Sequence, residues 1–269
     1  MVRLLFILCW TIITVSAWGQ QGPKSFVGGE KITYHAYYNW HFVWLDAAEV
    51  VFTANDIVVN DEPGYYFKAV ATSHPKYDFI YRVRDKFKAK TLKQDLTPVW
   101  FRRELKHRKK SSVHEYKFAN EKNQIYSEIK RFKSEAFKDT LQLQKGMHDI
   151  LSAAYYAREL DFSNRKINEQ IPFKLIIDNE HSESYLRYLG KEVVKTRKKR
   201  KFRCIKFSAY LIKGDFFKGG ESMTIWVTDD ANRIPIQVKT DVLIGSVKAI
   251  FVDAENLKHP IEAEIIKLK

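Results

Sequence analysis

The chain has 269 residues, of which 46 are Lys or Arg and 32 are Asp or Glu, for a formal charge of +14. Its 45% hydrophobic and 14% aromatic content is ample for a packed core. Two cysteines, Cys9 and Cys204, exclude a disulfide scaffold and a zinc site of several cysteines.

The N-terminus decides how that charge is read. Residues 1–21 carry one cation, Arg3, then an apolar run from Leu4 to Val15 and small residues at Ala17 and Gly19. This is the pattern of a secretory signal peptide cleaved before Gln20, and the run is shorter than the ~20 residues a membrane span needs. Residues 1–19 are therefore read as a signal peptide and 20–269 as a single β-rich domain. The expected location is periplasmic or extracellular, with no transmembrane span after cleavage. A basic cytosolic chain would suggest nucleic acid; an exported one rarely meets it, and no nucleic-acid partner is expected. Anionic lipid headgroups, lipopolysaccharide or acidic glycans suit the same field.

Along the mature chain, alternation of apolar and polar residues dominates. KITYHAYYNW (31–40) and AEVVFTANDIVV (48–59) read as strands, and NDEPG (60–64) as the turn of a hairpin spanning 48 to 73. Strands continue through FIYRVRDKFKAKTL, VWFRRELKH, SVHEYKFA and NQIYSEIK, with QDLTP and ANEKN as turns. Then the period changes. Asp149 is placed to cap a short helix over about 149–160 whose Ile150, Leu151, Ala153, Ala154, Tyr155 and Tyr156 are apolar nearly all round, so burial on every side is expected. Strands resume with QIPFKLIID, ESYLRYLGKEVV and FRCIKFSAYL, where Cys204 reads as a small buried hydrophobe. Residues 224–250 read as two strands around a turn at Asp229–Asn232, with Ile236, Val238, Thr240, Val242 and Ile244 on one face. PIEAEIIK (260–267) reads as a last strand.

Three stretches in order, FVGGEKITYHAYYNW, HDILSAAYYAREL and IWVTDDANRIPIQV followed by LIGSVKA, resemble an exported bacterial family known as domain of unknown function 3108. The resemblance covers roughly Phe26 to Phe251 and rests on Gly29, Glu30, Tyr34, Asp149, Ser152, Tyr155, Arg158, Trp226, Asp230, Pro235 and Gly245. It implies a half-barrel similar to periplasmic lipoprotein carriers, which cradle acyl chains against a helix, and implies no activity. Two places depart from the pattern. Ala47 stands where a glycine would set a bulge, and KTRKKRKFR occupies a hairpin tip where a glycine turn is more usual.

The expected fold is mainly β: a curved antiparallel sheet or half-barrel wrapped around the helix. No HExxH, nucleophile elbow or P-loop is present, so no catalytic residue, metal or cofactor is assigned and no enzyme is expected. Two groups are candidate sites. Trp40 and Trp44, with Tyr155 and Arg158 of the helix, could line an apolar cavity, although Arg158 reads first as an anchor of helix to sheet. The tip residues Lys198, Lys199, Arg200 and Lys201 could touch an anionic surface, with a second basic run at 106–110. The favoured function is non-enzymatic binding of an apolar or amphipathic, lipid-like ligand. The alternative is a structural or interaction protein that docks on the envelope through its basic tips.

Overall fold

The structure is a computed structural model that describes residues 23–40, 43–78, 82–107, 110–211, 219–242 and 245–266. The segment read as a signal peptide lies outside them. The strands are β1 (Lys31–Trp40), β2 (Val43–Val59), β3 (Glu62–Ser73), β4 (Arg84–Leu92), β5 (Pro98–His107), β6 (Lys110–Ala119), β7 (Gln124–Arg131), β8 (Phe137–Gln142) and β9 (Met147–His148). Helix α1 (Ile150–Glu159) follows. After it come β10 (Gln170–Ile177), β11 (Glu180–Lys195), β12 (Lys201–Leu211), β13 (Gly220–Thr228), β14 (Pro235–Asp241) and β15 (Ser246–Glu255).

Among the described residues these strands make one sheet, from β8 stepwise back to β1, across to β15, and stepwise back to β9. Two antiparallel meanders thus share the β1–β15 seam, and only the short β9–β10 pair is parallel. The helix sits in the connection between the meanders. The sheet bends until the β10–β11 turn reaches the far meander. There His181 Nε2 meets the Gln142 carbonyl at 2.7 Å, the Asn179 N–H donates to the Tyr116 hydroxyl at 3.1 Å, and Arg103 pairs with Asp178. The chain is mainly β, with a curved sheet around one helix.

Local chemistry explains most boundaries. The 48–73 hairpin forms with Ala48 opposite Ser73, and its turn is the two residues Asn60 and Asp61, both at positive φ. That geometry matches the twist of the flanking strands. Asp149 caps the helix by accepting from the Leu151 and Ser152 N–H groups, each at 2.9 Å. Leu151, Ser152, Tyr155 and Arg158 are buried, while Ala154 is exposed, so the helix is buried on one face and not all round. On that face the Tyr155 ring stacks on Phe67 with centroids 3.8 Å apart, and Phe26 packs against both.

Four further expectations change. Residues 224–250 hold parts of three strands, because β14 ends at Asp241 and β15 starts at Ser246, antiparallel to it. Gly245, just before β15, takes φ +81, and an added Cβ there would lie 2.2 Å from the Asn39 carbonyl oxygen. Ile244 lies outside the described residues. Of PIEAEIIK, the described residues 260–266 form no strand: they hold a turn and one bridge, Glu264 to Phe202. In FIYRVRDKFKAKTL only Arg84–Leu92 is a strand among the described residues. A bulge is present at Ala47 although no glycine stands there, since Ala36 pairs with Ala48 and Tyr37 with Asp46, leaving Ala47 as the extra residue. A bulge of this kind does not require a residue at positive φ.

Candidate functional site

The bulge in β2 sets up a pocket. Tyr37 faces Asp46 on one neighbour and Lys248 on the other, so the three share a face of the sheet, and Trp44 lies on that face two residues before Asp46. The end of β11 brings Lys195 and Arg197 to the same place. The result is a cavity of about 220 Å³ lined by Tyr37, Trp44, Lys195, Arg197, Lys248 and neighbouring residues.

Its charge is one-sided. The Arg197 guanidinium lies 4.1 Å from the Tyr37 ring centroid, and Lys248 Nζ lies 4.6 Å from that of Trp44. Such cation–π contacts hold a cation without neutralising it. Among the described residues Lys195, Arg197 and Lys248 form no ion pair with a carboxylate, whereas Arg158, Arg187 and Arg200 all do. Burial, then the positive charges of Lys239 and Arg197, lower the Lys248 pKa. The carboxylate opposite Tyr37 is already engaged: Asp46 meets His35 Nδ1 and His74 Nε2, each at 3.1 Å, and bonds the Tyr37 hydroxyl. Burial, then Asp46, raises the Tyr37 pKa. Aromatic walls with uncompensated cations suit the charged end of an amphipathic anion.

The candidate residues of the sequence do not come together. Trp44 lines this pocket; the side chain of Trp40 lies outside what is described. Tyr155 and Arg158 sit on the buried face of α1, in the core. Arg158 is fully engaged there. Its guanidinium grips Glu30 through bonds of 2.6 and 2.9 Å and also donates to the Asn232 and Ser25 carbonyls. It anchors helix to sheet, as expected. Of the basic tip, Lys198, Lys199 and Lys201 are exposed, and Lys199 takes the left-handed conformation a glycine would otherwise supply. Arg200 is different: Glu264 holds it through two bonds of 2.7 Å, and it lies over Phe202 and Phe251. Sequence reasoning missed Lys248, a lone cation in an ordinary strand pattern. Its significance comes from pairing opposite Tyr37, and no local signal announces that.

Many residues that carry the family resemblance meet around the Arg158 anchor. Glu30 pairs with Arg158, Tyr34 and Tyr155 lie within its field, and Ser152 binds the capping Asp149. Asp230 organises the neighbouring turn by accepting from Thr228 Oγ1, the Asn232 N–H and the Ala263 N–H. These bonds cap the helix, close the turn and tie helix, turn and tail to one another, which is a structural role. Burial pushes the Cys204 thiol up to about 12, the behaviour of an inert core cysteine. Among the described residues no group of three or more His, Cys, Asp or Glu is arranged to hold a metal ion, and no helix is long and apolar enough to cross a membrane.

A family model described as "Protein of unknown function (DUF3108)" matches residues 33–252. A similar solved structure is the crystal structure of a β-barrel-like protein of the domain of unknown function DUF1849 from Brucella abortus. The TM-score is 0.51 at 11% identity, covering 84% of this chain and 97% of that one. At such identity the likeness is one of fold. No curated protein matches the chain.

Proposed function

The chain belongs to the DUF3108 family of proteins of unknown function, and on that premise we propose that it is an exported, non-enzymatic binder of an amphipathic ligand whose anionic end sits in the Tyr37–Trp44 pocket. The observation that carries this reading is the pair of cations Arg197 and Lys248 on the Tyr37 and Trp44 rings, with Lys195 beside them in the lining and no ion pair to a carboxylate for any of the three among the described residues. An anion there would offset the burial and the positive charges of Lys239 and Arg197 that together depress Lys248. The apolar part of the ligand is assigned to Trp44 and Tyr37 and not to the space beneath the helix, which Tyr155, Phe67 and Phe26 fill. Export rests on the pattern of residues 1–19.

The test is native mass spectrometry of the protein expressed with its own N-terminus, purified without detergent and then extracted with solvent. An extra mass that extracts as lipid, and that disappears in a Trp44→Ala/Arg197→Gln/Lys248→Gln variant that still folds, supports the proposal. A bare polypeptide mass with no uptake from added envelope lipids overturns it. Lys198, Lys199 and Lys201, exposed and without an ion pair among the described residues, favour a second reading, docking on an anionic envelope surface. A bare mass combined with loss of envelope binding in a Lys198→Gln/Lys199→Gln/Lys201→Gln variant would select it.

A further inference from the structure

The β7–β8 turn presents side chains that a water-facing surface usually hides. Phe132 and Phe137 are each 56% exposed. Lys130, Arg131, Lys133 and Lys138 flank them, all exposed, with a single carboxylate, Glu135, in the turn. This is an ordered turn. The Phe132 N–H donates to the Ser111 carbonyl at 2.8 Å, and the Ser134 N–H and Oγ both donate to the Arg131 carbonyl, at 3.1 and 3.0 Å. Lys133 takes φ +60 to close it, with its ammonium 5.4 Å from the Phe132 ring. Pairing of Ser112 with Arg131 and of Lys106 with Ser111 brings the exposed Lys106 of the β5–β6 hairpin to the same strand end.

Single exposed apolar residues are ordinary on protein surfaces, but clustered ones mark contact sites. Two phenylalanines on one turn, ringed by cations, have the chemistry of an interfacial anchor. Rings of this kind enter the boundary between headgroups and acyl chains while the cations meet anionic headgroups. We propose that the β7–β8 turn docks this protein peripherally on an anionic lipid bilayer, with Phe132 and Phe137 in the interface and Lys106, Lys130, Arg131 and Lys133 at the headgroups. Charge complementarity selects this occupant. A second copy of the chain would bring the same excess of positive charge to the contact, whereas a sheet of negative headgroups opposes it. The surface is separate from the basic β11–β12 turn, which by strand direction lies at the opposite strand ends of the sheet.

The experiment is co-sedimentation of the protein with phosphatidylcholine vesicles, with and without about a quarter phosphatidylglycerol, over a range of salt. Binding is expected only with the anionic lipid and should weaken as salt rises. Phe132→Ser/Phe137→Ser is expected to weaken it at least tenfold. Lys130→Gln/Arg131→Gln/Lys133→Gln is expected to weaken it roughly a hundredfold, since each cation contributes about fivefold near such a surface. Val58→Ser, which alters a more exposed residue at the opposite strand end, should leave binding unchanged. In a Phe132→Trp variant, the emission of the new indole should shift blue on vesicles and be quenched by brominated lipid. Wild-type binding by the Phe132→Ser/Phe137→Ser protein, an indole at position 132 that stays in water, or no binding to anionic vesicles at low salt would each overturn the proposal. So would loss of binding on neutralising Lys198, Lys199 and Lys201 while the β7–β8 variants bind normally.

Discussion

Replacing Glu30 by Gln should uncouple the helix from the sheet. The Arg158 and Glu30 side chains are 4% and 0% exposed and joined by two bonds of 2.6 and 2.9 Å. With the carboxylate gone, the guanidinium keeps the Asn232 and Ser25 carbonyls but loses its only counter-charge among the described residues. Breaking a buried pair by removing one partner costs about 3–5 kcal/mol, a large part of the ~5–15 kcal/mol that holds a typical domain together. At a urea slope of about 3 kcal/mol per molar, the unfolding midpoint should fall by about 1–1.7 M. Equilibrium urea titration followed by tryptophan fluorescence would measure it. Arg158→Met should cost a similar amount, because it strands the carboxylate instead. The decisive comparison is Glu30→Leu/Arg158→Met, which removes both charges together. It should be more stable than either single variant, as apolar replacements of buried pairs tend to be near neutral, so the double-mutant cycle should show strong coupling. A Glu30→Gln protein within about 1 kcal/mol of wild type, or a double variant as weak as the sum of the singles, would refute the anchor.

Two other perturbations test the packing. Burial pushes the His148 pKa down to about 4, and its Nδ1 has no hydrogen-bond partner among the described residues. The unfolded chain therefore binds a proton that the native state excludes between pH 6.5 and 4, and stability present above that window is lost as pH falls through it. Wild type should lose about 2–3 kcal/mol more than His148→Phe between pH 7 and 4.5, measured by urea unfolding at both pH values; parallel losses would count against the burial. Asp149, pushed up to about 6 by its own burial, pulls the other way, since its native form gains a proton as pH falls, so the readout is the difference between the two proteins. Gly245→Ala should cost about 2–3 kcal/mol through its left-handed backbone and the clash with Asn39. That corresponds to a drop in Tm of roughly 5–10 °C by scanning calorimetry. An unchanged Tm would mean that the β14–β15 turn can relax around a side chain.

The elements legible in the sequence are those whose cause is local. A capping carboxylate before a helical period placed α1 to within a residue, and the NDEPG cluster between alternating runs placed the 48–73 hairpin, whose turn proper is only Asn60 and Asp61. Strand β8 escaped notice because it is an edge strand whose residues are exposed or half-exposed, so burial imposes little apolar alternation on FKDTLQ. The alternation of 236–244 reads as one strand because nothing before Gly245 breaks the pattern, although the chain turns there against Asn39. The C-terminal PIEAEIIK has strand-like composition, but Arg200 and Asp230 capture Glu264 and the Ala263 N–H and hold it as a turn.

The sequence by itself determined the class of fold, the helix and its cap, the buried thiol and the family, since period, capping and turn chemistry act over a few residues. Only the tertiary structure decided which cations are free to act. Arg158 finds a carboxylate 128 residues away and Arg200 one 64 residues away, whereas Arg197 and Lys248 meet aromatic rings. Coulomb attraction depends on distance in space. In a sheet whose first strand pairs with its last, that distance is set by register, one bulged residue and the curl of the whole sheet.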